Sequence, residues 1–199
     1  ALFRSLAKQT IKNFEWILVD DGSTDCTTDI ISRFENNDLF DFAYLKKPNG
    51  GKHTAINLGV RHAKGDLVLI LDSDDTLPRN AIETISRHYD LCKNREDCGG
   101  VCGVMAHHDG ARIGTGLGRD TLYVSTLDLR YEYGVKGDLL EVFKTSVLRE
   151  FPFPEITGEK FCLDALVWKR IATKYKLYCF NEVVYYRDYL EGGVTDRIV

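Results

Sequence analysis

The chain has 199 residues, 44% of them hydrophobic and 28% charged, the composition of an ordinary globular domain. Four prolines and 17 glycines exclude a collagen-like or proline-rich disordered chain. With 26 Lys plus Arg against 30 Asp plus Glu, the net charge of -4 gives no general attraction to nucleic acid or to an anionic membrane.

In chain order, helical and strand patterns alternate, as in an α/β domain. Leu2, Phe3 and Leu6 form the stripe of a short helix. Trp16 to Val19 is a buried strand. Ser23 or Thr24 is placed to cap the next helix, whose buried face is Ile30, Ile31 and Phe34. Phe42 to Leu45 is a second strand, stopped by Pro48-Asn49-Gly50-Gly51. A third helix is expected from Lys52 to Ala63, and Leu67 to Leu71 is the clearest strand. Pro78 suits the first position of the following helix, where Ile82, Ile85 and Tyr89 recur at helical spacing. Val101 to Ala106 is a fourth strand, and His107 to Asp120 is an irregular excursion. Leu139 to Phe143 is a further strand. A helix follows from Gly158 to Lys174, and a last strand from Leu177 to Tyr186. The six cysteines form no C-x-x-C pair and read as reduced core thiols. Cys98, Cys102, His107 and His108 are close in sequence, yet Cys98-Gly-Gly-Val-Cys102 has the small residues of a buried strand rather than of a zinc site. No apolar run approaches the ~18 residues of a membrane span. The N-terminal residues lack signal-peptide features, so a cytoplasmic location is expected.

Two strands end in acids: Val19 to Asp25 reads VDDGSTD, and Leu71 to Asp75 reads LDSDD. Ligands of open α/β sheets bind beyond the carboxyl ends of the strands. As parallel neighbours, these strands would bring Asp20, Asp21, Asp25, Asp72, Asp74 and Asp75 to one crevice. Like charges that close need neutralising, and a hard divalent cation (Mg²⁺ or Mn²⁺) is the natural partner of carboxylate oxygens.

VDDGSTD, then Asn49 to Asp66 (NGGKHTAINLGVRHAKGD), then LVLILDSDD resembles family 2 of the glycosyltransferases, and Ser5 to Thr10 is similar to that family's first helix. The resemblance implies an A-type, Rossmann-like fold with a mixed, mostly parallel sheet flanked by helices. It implies metal-dependent, inverting transfer of a sugar from a nucleotide diphosphate donor to a glycan or lipid-linked acceptor. By the same resemblance, Asp20 and Asp21 hold the nucleoside base, and Lys52 approaches the nucleotide. Asp72 and Asp74 are the D-x-D pair: Asp74, with Asp75, coordinates the metal, and Asp72 faces the ribose or the metal. The family's first strand would precede Ala1, so the sheet is expected to lack it. One domain over 1–199 is expected, with a nucleotide-sugar half at 1–106 and an acceptor half at 107–199. A lipid-linked acceptor would put the protein at the membrane periphery, on the inner face.

The acceptor hydroxyl needs a general base on the far side of the sugar from the leaving group. Asp164 is the candidate, on a helical face shared with Phe161 and Trp168; Glu159 is the second. The resembling family often has Glu-Asp here, where this chain has Leu163-Asp164. A first-turn carboxylate favoured by the helix dipole is the plainer account of Asp164. His107, His108, Arg187, Tyr185, Tyr186, Tyr189 and the segment Glu191 to Thr195 are weaker site candidates. Two other functions stay open. Leu69 to Thr76 also fits a haloacid-dehalogenase-like phosphatase with Asp72 as nucleophile. A non-catalytic domain binding nucleotide sugar or glycan is the third reading.

Overall fold

The computed structural model describes residues 1–32, 34 and 38–188. Tyr189 and the Glu191 to Thr195 segment therefore lie outside the described residues. Helix α1 (Leu2–Ala7) leads into strand β1 (Glu15–Asp20), which pairs in parallel with β2 (Asp41–Lys46) across α2 (Thr27–Ile31). Phe3 stacks on Phe34 with ring centroids 4.3 Å apart, and Trp16 packs on Phe42 at 4.9 Å. These rings fix the first helix against the small sheet. Helix α3 (Lys52–His62) lies along β1, with Gly59 facing Val19.

The rest of the chain gives β3 (Leu67–Val68), α4 (Ala81–Asp90), β4 (Cys98–Ala106), β5 (Thr121–Val124) and α5 (Thr126–Tyr131). Then come β6 (Leu139–Lys144), α6 (Thr145–Glu150), α7 (Asp164–Ala172) and β7 (Lys176–Tyr186). Their strands form a second sheet in the order β3-β6-β4-β7-β5. All nine residues of β4 are buried, because helices cover both faces. On one face Phe143 and Cys179 meet Val60 of α3 and Val167 and Ile171 of α7. On the other, Val101 and Phe180 meet Ala81 and Ile85 of α4, with Leu6 of α1 in the same cluster. This is the expected α/β architecture of helices on a mixed sheet.

The mixture differs in detail from the expected one. Only β1–β2 and β4–β7 are parallel; β3–β6, β4–β6 and β5–β7 are antiparallel. The chain leaves β4 at one end of the sheet and re-enters from that end in β5. Helix α5 then returns it to the same end before β6, so both strands run against β4. The strand expected over Leu67 to Leu71 is hydrogen-bonded only at Leu67 and Val68. Beyond them the chain leaves the ladder, keeping Leu69 and Leu71 against the core. Helix α2 begins at Thr27 without a side-chain cap, since Asp25 takes the Thr27 amide in a local turn. Ile31 of that helix is buried, but Ile30 is 46% exposed. Helix α4 starts at Ala81, with the Pro78 carbonyl accepting from the Ala81 amide. Helix α7 starts at Asp164, not Gly158, so Phe161 is in coil and exposed rather than on a shared helical face. The two halves expected at 1–106 and 107–199 both supply strands to the larger sheet. Among the described residues, no helix is long and apolar enough to cross a membrane.

Candidate active site

Asp20 is the last residue of β1 and is 3% exposed. It accepts hydrogen bonds from the Ser23 amide (2.7 Å) and the Tyr44 hydroxyl (2.7 Å), and Lys46 lies 3.5 Å away. Burial works to raise its pKa, but these donors and the Lys46 charge prevail and hold it well below the usual carboxylate range. Asp21 is held the same way. Against the effect of burial, Lys47 and the amides of Gly50 (2.9 Å) and Gly51 (2.7 Å) lower its pKa. The first acid cluster thus ties the end of β1 to the Asn49-Gly50-Gly51 loop. Gly22, with φ +84°, brings its backbone so close to that loop that a Cβ would meet the Asn49 nitrogen at 2.7 Å. Asp25 is exposed and bonds to Thr27.

The loop delivers Lys52, the first residue of α3, to the second acid cluster. Its ammonium is 2.7 Å from Asp72 Oδ1 and 3.8 Å from Asp164 Oδ2. Three separate stretches, the start of α3, the acids after β3 and the start of α7, therefore converge on one lysine. Burial alone would lower the Lys52 pKa, but the Asp72 and Asp164 charges raise it. Burial raises that of Asp164, and Lys52 only partly offsets the effect. Asp164 is also the first residue of α7, where the helix dipole favours an anion. Asp74 is exposed, with no hydrogen-bonding partner among the described residues. Asp75 is 3% exposed and turned inward, accepting from the Tyr185 hydroxyl at 2.7 Å; the Tyr185 oxygen accepts in turn from the Asp72 amide. Burial raises the Asp75 pKa against that hydrogen bond. The acid clusters are thus neutralised in part by Lys46, Lys47 and Lys52.

Among the described residues, no group of three or more His, Cys, Asp or Glu side chains is arranged to hold a metal ion. Asp72 and Asp74 nevertheless offer hard oxygens, and Mg²⁺ or Mn²⁺ sites often combine one or two carboxylates with substrate phosphates. The donor chemistry fits such an ion, with Asp75 engaged elsewhere. All six cysteines are free thiols. Glu159 is exposed in the coil before α7. Arg187 pairs with Asp138 at 3.1 Å, and its charge also acts on Lys52, Asp75 and Asp164. His108 bridges Asp188 (2.8 Å) and Thr76 (2.9 Å), next to the second acid cluster. Sequence reasoning passed over Glu141, which stands on β6 beneath α7. Its signal was a lone acid inside the apolar run Leu139-Leu140-Glu141-Val142-Phe143.

The model of the family described as Glycosyl transferase family 2 matches residues 1–142. The glycosyltransferase GlyG of Streptococcus pneumoniae is 42% identical over 80 residues, which is 40% of this chain and 27% of the relative. A GalNAc(5)-diNAcBac-PP-undecaprenol beta-1,3-glucosyltransferase of Campylobacter jejuni is 26% identical across 96% of this chain and 61% of its own. The chain therefore spans less than two thirds of either relative. In structure it is similar to S. aureus TarS 1-349 in complex with UDP-GlcNAc, with TM-score 0.71 and 23% identity over 98% of this chain and 56% of that one. That likeness concerns the fold.

Proposed function

The chain belongs to glycosyl transferase family 2, and from that premise we propose that it transfers a sugar from a nucleotide diphosphate donor to a glycan or lipid-linked acceptor. The observation that carries this reading is the meeting of Lys52, Asp72 and Asp164. We assign Asp20 and Asp21 to the turn and loop against which the nucleoside base lies. Lys52 binds the donor phosphates, and Asp72 faces the ribose or the metal. Asp72 and Asp74 are the residues that would hold Mg²⁺ or Mn²⁺. When bound, such an ion stabilises the negative charge of the departing diphosphate. Asp164 takes the proton of the attacking hydroxyl, and its burial raises its pKa toward that of a useful base. Attack from the side opposite the diphosphate inverts the anomeric carbon. The undecaprenol-linked substrate in the Campylobacter relative's name supports a lipid-linked acceptor and a place at the inner membrane face. The UDP-GlcNAc bound to TarS makes uridine nucleotides the first donors to try. Family membership leaves no role for the phosphatase alternative.

A thermal-shift panel of nucleotide diphosphates and their sugars, with and without Mn²⁺, tests the donor site. A ligand at 100 times its Kd adds roughly 2.7 kcal/mol of stability. The expected result is a shift for one nucleotide, larger with the metal; no shift for any nucleotide with Mn²⁺ present removes the donor site. Asp164→Asn is expected to keep that shift and to lose transfer by ~10²-fold or more. Full activity in Asp164→Asn removes Asp164 from the base role. Tight nucleotide binding with no turnover in the unaltered protein favours a non-catalytic domain.

A further inference from the structure

Glu141 is a half-buried acid in an apolar strand. Its β6 neighbours Leu139, Leu140, Val142 and Phe143 are at most 4% exposed. Alternation puts Leu139, Glu141 and Phe143 on the sheet face that α7 covers. There Phe143 packs on Trp168 of α7, with ring centroids 4.6 Å apart. One helical turn before Trp168 is Asp164, ~6 Å back along the helix. Two residues before Phe143 is Glu141, ~7 Å back along the strand. Helix α7 leads through a short turn into β7, which runs against β6, so α7 and β6 run the same way; the offsets place Glu141 toward the first turn of α7, and the Asp164 charge acts on Glu141.

The groups around Glu141 do not neutralise it. Apart from its own backbone amide, no donor hydrogen-bonds its carboxyl among the described residues. Arg130 of α5 attracts it, but the Arg130 guanidinium is committed to the carbonyls of Val135 (3.1 Å) and Gly137 (2.6 Å). Asp138, just before β6, repels it and is paired with Arg187. Cys102, opposite it on β4, is a neutral thiol pushed up by its Cys179 partner and by burial. Burial therefore prevails and pushes Glu141 up to about 7. A carboxyl held in an apolar wall without donors is expensive, and such groups gather at sites that use them.

The geometry points to Glu141 as a second substrate-binding carboxylate: it accepts a hydrogen bond from an acceptor hydroxyl next to the one that Asp164 deprotonates. The acceptor group that fits is a pair of neighbouring sugar hydroxyls. This rests on the transfer reading above. The test is Glu141→Gln, which keeps the shape and removes the charge, with Lys52 and Asp164 unchanged.

One measurement needs no acceptor. A carboxyl raised from 4.5 to about 7 is protonated in the folded state across that window, so wild-type stability falls as pH rises through it. Glu141→Gln is expected to melt with the wild type at pH 4 and several degrees above it at pH 8. A variant that melts below the wild type at pH 8 overturns the proposal, whether or not transfer is seen. The second measurement is transfer from the donor found by thermal shift to a panel of p-nitrophenyl glycosides and their monodeoxy forms. At pH 8, where Glu141 is ionised, the acceptor KM should rise about tenfold in the variant, the equivalent of one hydrogen bond to a charged group, with the nucleotide shift unchanged. One monodeoxy acceptor should be as poor for the wild type as its parent is for the variant. A wild type that shifts with no nucleotide fails the transfer reading. A wild type that transfers while Glu141→Gln keeps its acceptor KM fails this proposal alone.

Discussion

Asp21 and Asp164 carry the same carboxyl group and are shifted in opposite directions. Asp21 meets Lys47 and two backbone amides, and these outweigh its burial. Asp164 is opposed by burial, and one lysine at 3.8 Å does not restore it. The two kinds of acid have opposite linkage to pH. The stability that Asp21 contributes is present above its unfolded pKa near 4 and is lost as pH falls further. Glu141 works the other way: raised from 4.5 to about 7, it costs at most about 3 kcal/mol once pH exceeds the upper value. Asp21→Asn leaves one of the two loop amides facing an NH₂ group. We expect a loss of about 2 kcal/mol, read as a lower urea midpoint at pH 7. The variant should also lose part of the acid sensitivity of the wild type below pH 4. An unchanged midpoint would mean that the loop does not depend on this clamp.

Loops between elements set the site more than the elements do. Gly51 ends the loop that Asp21 clamps; its φ is +96°, and an added Cβ would meet the Lys160 carbonyl oxygen at 2.0 Å. The segment before α7 thus lies directly on the residue that precedes Lys52. Gly51→Ala must move one of them and must also adopt φ +96° with ψ 154°, a region essentially reserved to glycine, a penalty of about 1–3 kcal/mol before the clash is counted. The expected outcome is a loss of about 2–4 kcal/mol in chemical denaturation, with transfer falling more than nucleotide binding because Asp164 moves away from Lys52. Equal losses of both would place the damage in the donor loop alone. The strands at Trp16 to Val19, Phe42 to Leu45 and Leu177 to Tyr186 were legible, since apolar runs bounded by turn residues mark buried strands. So was α3, foreseen to within a residue. Helix α7 begins later than its apolar spacing suggests, because Phe161 continues that spacing while the close approach of Lys160 to Gly51, just before the helix, is tertiary. β5, α5 and α6 are too short for periodicity to show. Ser125, whose Oγ accepts from the Asp128 amide, was the visible clue to α5.

At the scale of the whole molecule, the site joins parts of the chain that no motif links. Lys52 and Asp72 belong to motifs read from the sequence, but their meeting with Asp164 depends on how α3 is fastened to the segment leading to α7. Asn57, in the middle of α3 and 6% exposed, does that fastening. Its Nδ2 donates to the Phe153 carbonyl (2.9 Å) and to Glu155 (2.7 Å), and its Oδ1 accepts from the Phe153 amide (3.0 Å). Nothing in the NGGKHTAINLGV stretch distinguishes this asparagine from a solvated one, because its partners are 96 and 98 residues away. Asn57→Leu keeps the volume and strands the amide and carbonyl of Phe153, a residue that is 3% exposed. Two unsatisfied buried groups cost about 2–6 kcal/mol together. If the fastening serves the site as well as the fold, the variant should bind nucleotide with Mn²⁺ at low temperature and transfer poorly, since Lys52 keeps Asp72 but loses Asp164. Transfer and nucleotide binding that decline together as the protein melts would make Asn57 a residue of stability alone.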